Sequence, residues 1–329
     1  MGRFCEVITL VSARSELFDG RSVMITGGTG SFGTFMVREL LKTNLREIVI
    51  LSRDEEKQLE MKRRFTDSRL RFLIGDVRDY ERLLECTRAN YVYHAAALKI
   101  IPTCEEHPIE AYKTNVQGSL NVKKACIANR VDRSILISTD KACKAVNTYG
   151  MTKALAEKIW LYEPEVSSKS FFSVVRYGNV LGSRGSVVPY FKELMAQGKP
   201  FPITHRKMSR FIITLKQAID LVFYATERMT GGEIFVPKIP ACLIMDLARA
   251  LAGPNPPFQE VGIRPGEKIH ETLISEEEMR RTEEQDSCFI IHPHGRHRNL
   301  NPSGKYTSAN ARQLSIEEIS ELLKEESAV

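Results

Sequence analysis

Short runs of β-branched and aliphatic residues recur along the first half of the chain, each followed by a stretch whose apolar positions fall three and four apart. Ser22-Val23-Met24-Ile25-Thr26 is the first such run, and beyond the turn GGTGSFG (Gly27 to Gly33) come Phe35, Met36, Leu40 and Leu41 on one helical face. Glu47 to Leu51, Leu70 to Ile74, Tyr91 to Ala95 and Ser134 to Ser138 are further β-prone runs, separated by segments with helical spacing. Strands alternating with helices predict an α/β protein whose mostly parallel sheet is covered on both faces, with ligands at the carboxyl ends of its strands. A last amphipathic stretch, Ser315 to Lys324, opens on a Ser-x-x-Glu capping box and is expected to pack on a smaller lobe.

Composition removes several classes of function. With 43% hydrophobic and 27% charged positions, and no period among its 20 glycines and 14 prolines, the 329-residue chain is neither disordered nor fibrous. Its net charge of +6 is scattered, with Lys62-Arg63-Arg64 followed closely by acids, so no nucleic-acid partner is implied. The seven cysteines form no CxxC pair and suit reduced thiols in a cytoplasm. No apolar run reaches the roughly 18 residues of a membrane span; the longest candidate, Tyr91 to Pro102, contains His94 and Lys99. The opening MGRFCEVITLVSARSELFDG has too short an apolar stretch for a signal peptide, and Glu6 stands where myristoylation requires Ser or Thr. A soluble, cytoplasmic protein without a membrane partner is expected. His292, His294 and His297 lie in a Gly/Pro/Asn-rich stretch without a carboxylate or cysteine at helical spacing, so they read as solvated loop and no metal is assigned.

The first turn carries chemistry. Gly28-x-Gly30-x-x-Gly33 and Gly27-x-x-Gly30-x-x-Gly33 are both satisfied between a strand and a helix. Such a turn lets the backbone approach a dinucleotide pyrophosphate, whose charge sits on the helix N-terminus. This makes the fold a Rossmann-type doubly wound parallel sheet. After the second strand, where NAD enzymes usually place an acid, stand Ser52-Arg53-Asp54. Arg53 suits a 2′-phosphate and so favours NADP; the alternative is a solvated Arg53 with Asp54 binding the ribose of NAD. Asp76, after the third strand, is placed either to accept from the adenine amino group or to cap the next helix.

The strand ending at Ser138 runs into Thr139-Asp140-Lys141, and Tyr149 and Lys153 follow at the head of an amphipathic helix. Residues four apart share a helix face, so the Lys153 ammonium is expected to lower the Tyr149 phenol and to hold a cofactor ribose. A phenolate can take a proton from an alcohol while hydride leaves to a nicotinamide.

At these residues the chain resembles the extended short-chain dehydrogenase/reductase family and, within it, the soluble inverting UDP-N-acetylglucosamine 4,6-dehydratases of the kind that feed pseudaminic acid or capsule sugars. The resemblance runs from about Phe18 to the C-terminus through ITGGTGSFG, SRDE, GDVRD, HAAALK, STDKA, YGMTK, RYGNVLGSRGSVVP, GGEIFVPKIP and RPGEKIHE. It implies oxidation at C4 of the sugar, loss of the C5 proton and the C6 hydroxyl, and return of the stored hydride to C6. Asp140 would be the acid for C6 and Lys141 the base for C5, with Thr139 in the same catalytic set. A basic lysine must be held neutral by burial or a neighbouring cation, a role expected of Lys153. The resemblance places NADP, tightly bound and recycled, with NAD possible, against Gly27, Thr29, Gly30, Ser31, Phe32, Gly33, Ser52, Arg53, Asp54, Asp76, Val77, Ala95, Ala96, Ala97, Lys99, Tyr149 and Lys153. It places the UDP-sugar against Lys99, Tyr177, Asn179, Val187, Val188, Thr204, Arg210, Arg264 and Glu267, where each Arg can fork onto a diphosphate.

Membrane-anchored relatives that retain C5 configuration typically have Met in place of Tyr149, so inversion, giving UDP-2-acetamido-2,6-dideoxy-β-L-arabino-hexos-4-ulose, is the expected outcome. Cys143 and Lys144 depart from the small residues and Asn-Pro usual in relatives, and Ile100 from a common His. The chain is divided into a lead-in over residues 1–20, an NADP-binding domain over 21–180 and a mainly substrate-binding lobe over 181–329, with chain crossings between lobes. A homo-oligomer is expected. The rival readings are a nucleotide-sugar 4-epimerase, which needs no second acid/base pair, and a non-catalytic NADP-sensing protein.

Overall fold

The five apolar runs become parallel strands, joined by a sixth at Phe171–Tyr177, in the computed structural model, which describes residues 16–162, 169–294 and 304–327. They are β1 (Ser22–Thr26), β2 (Glu47–Ser52), β3 (Leu70–Ile74), β4 (Tyr91–His94), β5 (Arg133–Thr139) and β6 (Phe171–Tyr177). Later segments β7 (Ile234–Pro237), β8 (Thr282–Glu284) and β9 (Cys288–Ile291) complete a nine-stranded sheet in the order β8-β9-β7-β6-β5-β4-β1-β2-β3. β7 runs parallel to β6, and β9 is antiparallel to both its neighbours, β7 and β8. All five residues of β1 are buried, as a strand covered on both faces requires. From β1 the chain builds outward to β3 and then returns to the other side as β4, so the order switches between β1 and β4. In open α/β sheets ligands occupy the crevice at such a switch, beyond the carboxyl ends of the strands.

That crevice has a rigid floor. His94, at the end of β4, is fully buried between the Thr26 hydroxyl (2.6 Å from Nδ1) and the Ser119 hydroxyl (3.0 Å from Nε2), and it stacks on Trp160. Burial pulls its pKa down to about 3, aided by the Lys153 charge, so the ring is neutral and serves as a strut.

Opposite the crevice, a small lobe is built on the three-stranded sheet of Asn179–Val180, Ser209–Ile213 and Ala241–Leu243. The helices Val187–Ala196, Ile244–Ala252 and Ile316–Ser327 cover it around two small cores, one with Leu181, Val188, Ile212 and Leu247, the other with Phe191, Phe201 and Met245. Among the described residues no helix is long and apolar enough to cross a membrane. Most of the 1–20 lead-in, and His297, lie outside the described residues.

One buried ion network locks the parts together. Arg176 on β6 forks onto Glu157 of the helix Thr148–Leu161 at 3.0 and 2.6 Å, reaches Glu278 at 2.8 Å and donates to the Leu273 carbonyl. Although burial opposes its charge, Arg176 holds the Glu278 carboxyl down to about 2 from 4.5. A carboxylate lowered in the folded state contributes stability above its unfolded pKa and loses it as pH falls through the folded one. Thermal melts are therefore expected to show stability draining away between about pH 4.5 and 2, and Glu278→Gln to remove up to about 3 kcal/mol of that dependence.

Candidate active site

The Gly-rich turn lies at the switch point. Gly27 has φ +67°, and a Cβ there would come within 2.8 Å of the Ala96 backbone; a Cβ on Gly33 would collide with the backbone of Gly28. Only glycine permits this folding of the turn onto Ala95 to Ala97. The helix Ser31–Leu40 starts at Gly30 with no side-chain cap and no acid in its first turn, so its amides are open to an anion. These residues fit a dinucleotide pyrophosphate. Thr29 is buried in the turn and Phe32 packs on the core.

At the ribose end the residues sort themselves. Asp54 caps the helix Glu55–Arg64 by accepting from the Lys57 amide at 3.0 Å and pairs with the Lys57 side chain. Ser52 is tied down through Gln58, which donates to its carbonyl. Asp76 accepts from Arg78 at 2.7 Å and pairs with Arg53 at 3.4 Å; burial opposes its charge, yet the arginines hold its carboxyl below the usual range. Asp79, not Asp76, caps the following helix. Val77 is buried beneath Gly118, and its carbonyl accepts from Asn121.

The chemistry converges at the end of β5. A tight turn over Asp140–Ala142 follows Thr139, whose hydroxyl accepts from the Lys141 amide and donates to Asp140 Oδ1 at 3.0 Å. Asp140 is fully buried, and its Oδ2 has no partner. Burial raises its carboxyl above the usual range against the pull of Lys141, whose Nζ lies 3.0 Å from Oδ1. Lys141 does not meet the expected cation: Glu271 Oε1 lies 3.7 Å from its Nζ and Asn179 Oδ1 3.4 Å. Burial opposes its charge, but Asp140 and Glu271 together hold the ammonium above its ordinary range.

Tyr149 and Lys153 share one face of the helix Thr148–Leu161, with the neighbouring Asn147 as N-cap. Their electrostatics differ from expectation. Lys153 Nζ donates to the Ile137 carbonyl at 2.7 Å, and burial pulls it down to about 8 against Glu157. Burial pushes the Tyr149 phenol up to about 12, opposed by the Lys141 charge and a hydrogen bond with Thr139. The cation that favours the phenolate is therefore Lys141, not Lys153, and the pocket alone does not ionise the phenol. A π-helical turn, Tyr112–Gln117, sets Asn115 inward, where it bonds both polar groups of the Leu98 backbone and the Thr152 hydroxyl.

On the substrate side Thr139 pairs across the sheet with Tyr177, buried at the end of β6, and Asn179 begins the small lobe. The next loop straps back over the cofactor turn: the Arg184 amide donates to Ser31 Oγ at 3.2 Å and its carbonyl accepts from Lys99. The helix Val187–Ala196 then begins without a side-chain cap, beside a Ser186 hydroxyl that has no partner. Val187 and Val188 pack their side chains into the small-lobe cores, leaving their backbone for a ligand. Thr204 is buried against Met208, and Arg210, also buried, lies on Ser209–Ile213. Arg264 and Glu267 form a turn whose Gly266 (φ +81°) presses on Asn147 and accepts from its side chain at 2.7 Å. Sequence reasoning missed Glu271, whose signal was the last letter of RPGEKIHE, and the Glu157 contact behind Lys153.

The unusual loop residues find partners as well. Lys144 adopts φ +50° and pairs with Glu276 at 2.5 Å, while the Cys143 thiol donates to Glu278. His292 pairs with Glu283 and His294 approaches Glu277, and no group of metal-ligating side chains is present among the described residues.

A doubly wound sheet with a glycine cradle at its switch point and a Tyr-Lys helix beside it defines a dinucleotide-dependent enzyme of the short-chain dehydrogenase/reductase type. Residues 23–293 match the polysaccharide biosynthesis protein family, and the chain belongs to it. It is 48% identical over 282 residues, 84% of each chain, to an inverting UDP-N-acetylglucosamine 4,6-dehydratase of Campylobacter jejuni strain 81-176. It is 42% identical to a UDP-glucose 4-epimerase of Rickettsia prowazekii, over 93% of this chain and 96% of that one. Among solved structures, Pen from Bacillus thuringiensis superposes with a TM-score of 0.88 at 35% identity, covering 94% of this chain and 98% of that one.

Burial also decides the fate of the nearest thiol. Cys143 is 4% exposed, and burial pushes it up to about 12, so it is expected to resist maleimide in the native protein at pH 7.5 and to react after unfolding. Mass spectrometry of the labelled peptides checks this.

Proposed function

We propose that the protein is an NADP-dependent UDP-N-acetylglucosamine 4,6-dehydratase that inverts C5. The observation that carries this reading is the buried Asp140–Lys141 pair beside Tyr149, an acid and a base beyond what alcohol oxidation needs. In this reading residues 21–180 hold the dinucleotide and 181–329 mainly the nucleotide-sugar, whose diphosphate suits Arg210, Arg264 and the uncapped start of Val187–Ala196.

A dinucleotide held by the Gly27–Gly33 turn and Lys153 would supply reversible hydride storage for oxidation at C4 and reduction at C6. Tyr149 takes the C4 hydroxyl proton, and Lys153, fixed on the Ile137 carbonyl, holds the ribose. In the resting pair Lys141 carries the proton. A shift of that proton from Nζ to Asp140 Oδ1, 3.0 Å away, leaves a neutral amine and a carboxylic acid without changing net charge. The amine then removes the acidified C5 proton while Asp140 protonates the departing C6 hydroxyl, and the pair returns to ammonium and carboxylate as water leaves; reduction at C6 then requires a proton at C5, taken from the face opposite Lys141, which inverts that centre and offsets the proton Tyr149 gained from C4.

NADP is favoured over NAD because Asp54 is engaged as a cap, whereas Arg53, with its side chain half exposed, adjoins Arg78 at the ribose end. A homo-oligomer is supported by Ile109, Tyr112, Met151 and Leu155, exposed apolar side chains on adjacent helices. The unpaired cysteines suit a reducing cytoplasm. The Rickettsia relatives keep the 4-epimerase reading in view, and one experiment separates the two.

Proton NMR of UDP-N-acetylglucosamine incubated with the protein in deuterated water is expected to show a new C6 methyl signal, deuterium at C5 and L-arabino couplings. A galacto-configured product without a methyl would establish the epimerase instead. Asp140→Asn is expected to slow methyl formation by at least about 100-fold while leaving NADP affinity unchanged. Arg53→Ser is expected to weaken NADP binding about 10- to 100-fold in calorimetry and to leave NAD binding within a factor of about two.

A further inference from the structure

Glu271 is the buried charge that the mechanism above leaves without a task. It is 3% exposed and immediately precedes the strand Thr272–Ile274. Its backbone is pinned on Ser308, which accepts from the Glu271 amide at 2.9 Å and donates its own amide to the Glu271 carbonyl; Ser308 in turn bonds Ser209. Its carboxylate meets three cations from three segments: Lys141 at 3.7 Å, Arg210 at 3.9 Å and Lys268 at 3.3 Å. Lys268 is itself anchored by donating to the Cys143 carbonyl at 2.8 Å. Oε2 has no hydrogen-bond partner, so the carboxylate acts through charge at ion-pair distance, and on a pinned backbone in a dry site it is a preset field acting on whatever titrates beside it.

Building on the dehydratase reading, we propose that Glu271 is a positioning residue for the acid/base pair: its carboxylate aims the Lys141 side chain and sets the field in which Lys141 and Asp140 exchange one proton. The charged and titratable groups facing the pair are Glu271, Arg210 and Lys268 from the small-lobe side and Tyr149 from the helix. With Glu271 ionised the five charges of Asp140, Lys141, Arg210, Lys268 and Glu271 leave one excess positive charge; without it they leave two.

The sign of the consequence follows. Turnover needs the pair to hold one proton, so kcat falls on the acid side where a second is taken up and on the basic side where the last is lost. A negative neighbour makes protonation easier at both steps. Neutralising Glu271 therefore moves both limbs to lower pH, whereas loss of mere packing lowers kcat or stability and leaves the limbs in place.

The test compares the pH profile of kcat for wild type, Glu271→Gln and Glu271→Asp with UDP-N-acetylglucosamine. Glu271→Gln is expected to displace the whole profile by about one pH unit toward acid, and Glu271→Asp, which keeps the charge but withdraws it, by less. A second readout needs no turnover: the carbon-13 carboxyl signal of Asp140, assigned by its loss in Asp140→Asn, is followed against pH without substrate. Its midpoint is expected to fall by about one pH unit in Glu271→Gln. An unmoved midpoint in both folded variants overturns the proposal whatever sugar the enzyme uses. A moved midpoint in a protein that forms no methyl product upholds the hold of Glu271 on the pair and removes only the dehydratase reading. If Glu271→Gln does not fold, Glu271→Asp alone decides.

Discussion

The active centre is organised by the need to bury several charges in one dry cleft. A lone carboxylate or ammonium there would shed its charge, and each is kept only by partners at hydrogen-bond or ion-pair distance. Asp140 and Lys141 come from the turn after β5, Arg210 from the small-lobe sheet, Lys268 and Glu271 from the segment leading into Thr272–Ile274. Three separate stretches of chain must therefore arrive together before any of these charges is tolerable. The requirement ties the small lobe to the large sheet more specifically than apolar contact would, and it places the join beside Asp140 and Lys141.

The same logic continues behind the site. Glu157 sits one turn beyond Lys153 and is held by Arg176, which also engages Glu278. The position of the helix bearing Tyr149 is thus fixed from its far side by a network of buried ion pairs. Asn147 does the equivalent at the near end: one side chain caps the helix and grips the turn containing Arg264 and Glu267. The segment that would bind nucleotide and the helix that would bind cofactor are joined by a single asparagine.

Much of this was legible in the sequence because it is local. The strands announce themselves by runs of β-branched residues, the glycine turn by spacing, the Tyr149–Lys153 pair by its four-residue interval, and Asp140-Lys141 by following a strand end. The partners were not legible. Glu271 is far from Lys141 along the chain, and no periodicity connects them. The expectation that Lys153 tunes Tyr149 assumed that shared helical position means contact, whereas the backbone carbonyl of Ile137 claimed the ammonium. Asp54 and Asp76 show the same limit: an acid after a strand can serve a cofactor, a helix cap or an arginine, and the fold engages Asp54 as a cap and Asp76 with arginines.

The outer strands of the large sheet have a consequence for biosynthesis. The β6 partner of β7 precedes it in the chain, but its other edge is covered only by β9, which ends at Ile291. Between those points the ribosome must produce the small-lobe helix Ile244–Ala252 and the Arg264–Glu267 turn. Throughout that interval a nascent chain carries an open, fully apolar β7 edge, Ile234 to Val236, of the kind that templates association with other chains. The last strands of this sheet to be translated are thus its protection against aggregation as well as its border, and a message truncated before residue 288 would yield a chain with Asp140, Lys141, Tyr149 and Lys153 all present and an exposed edge.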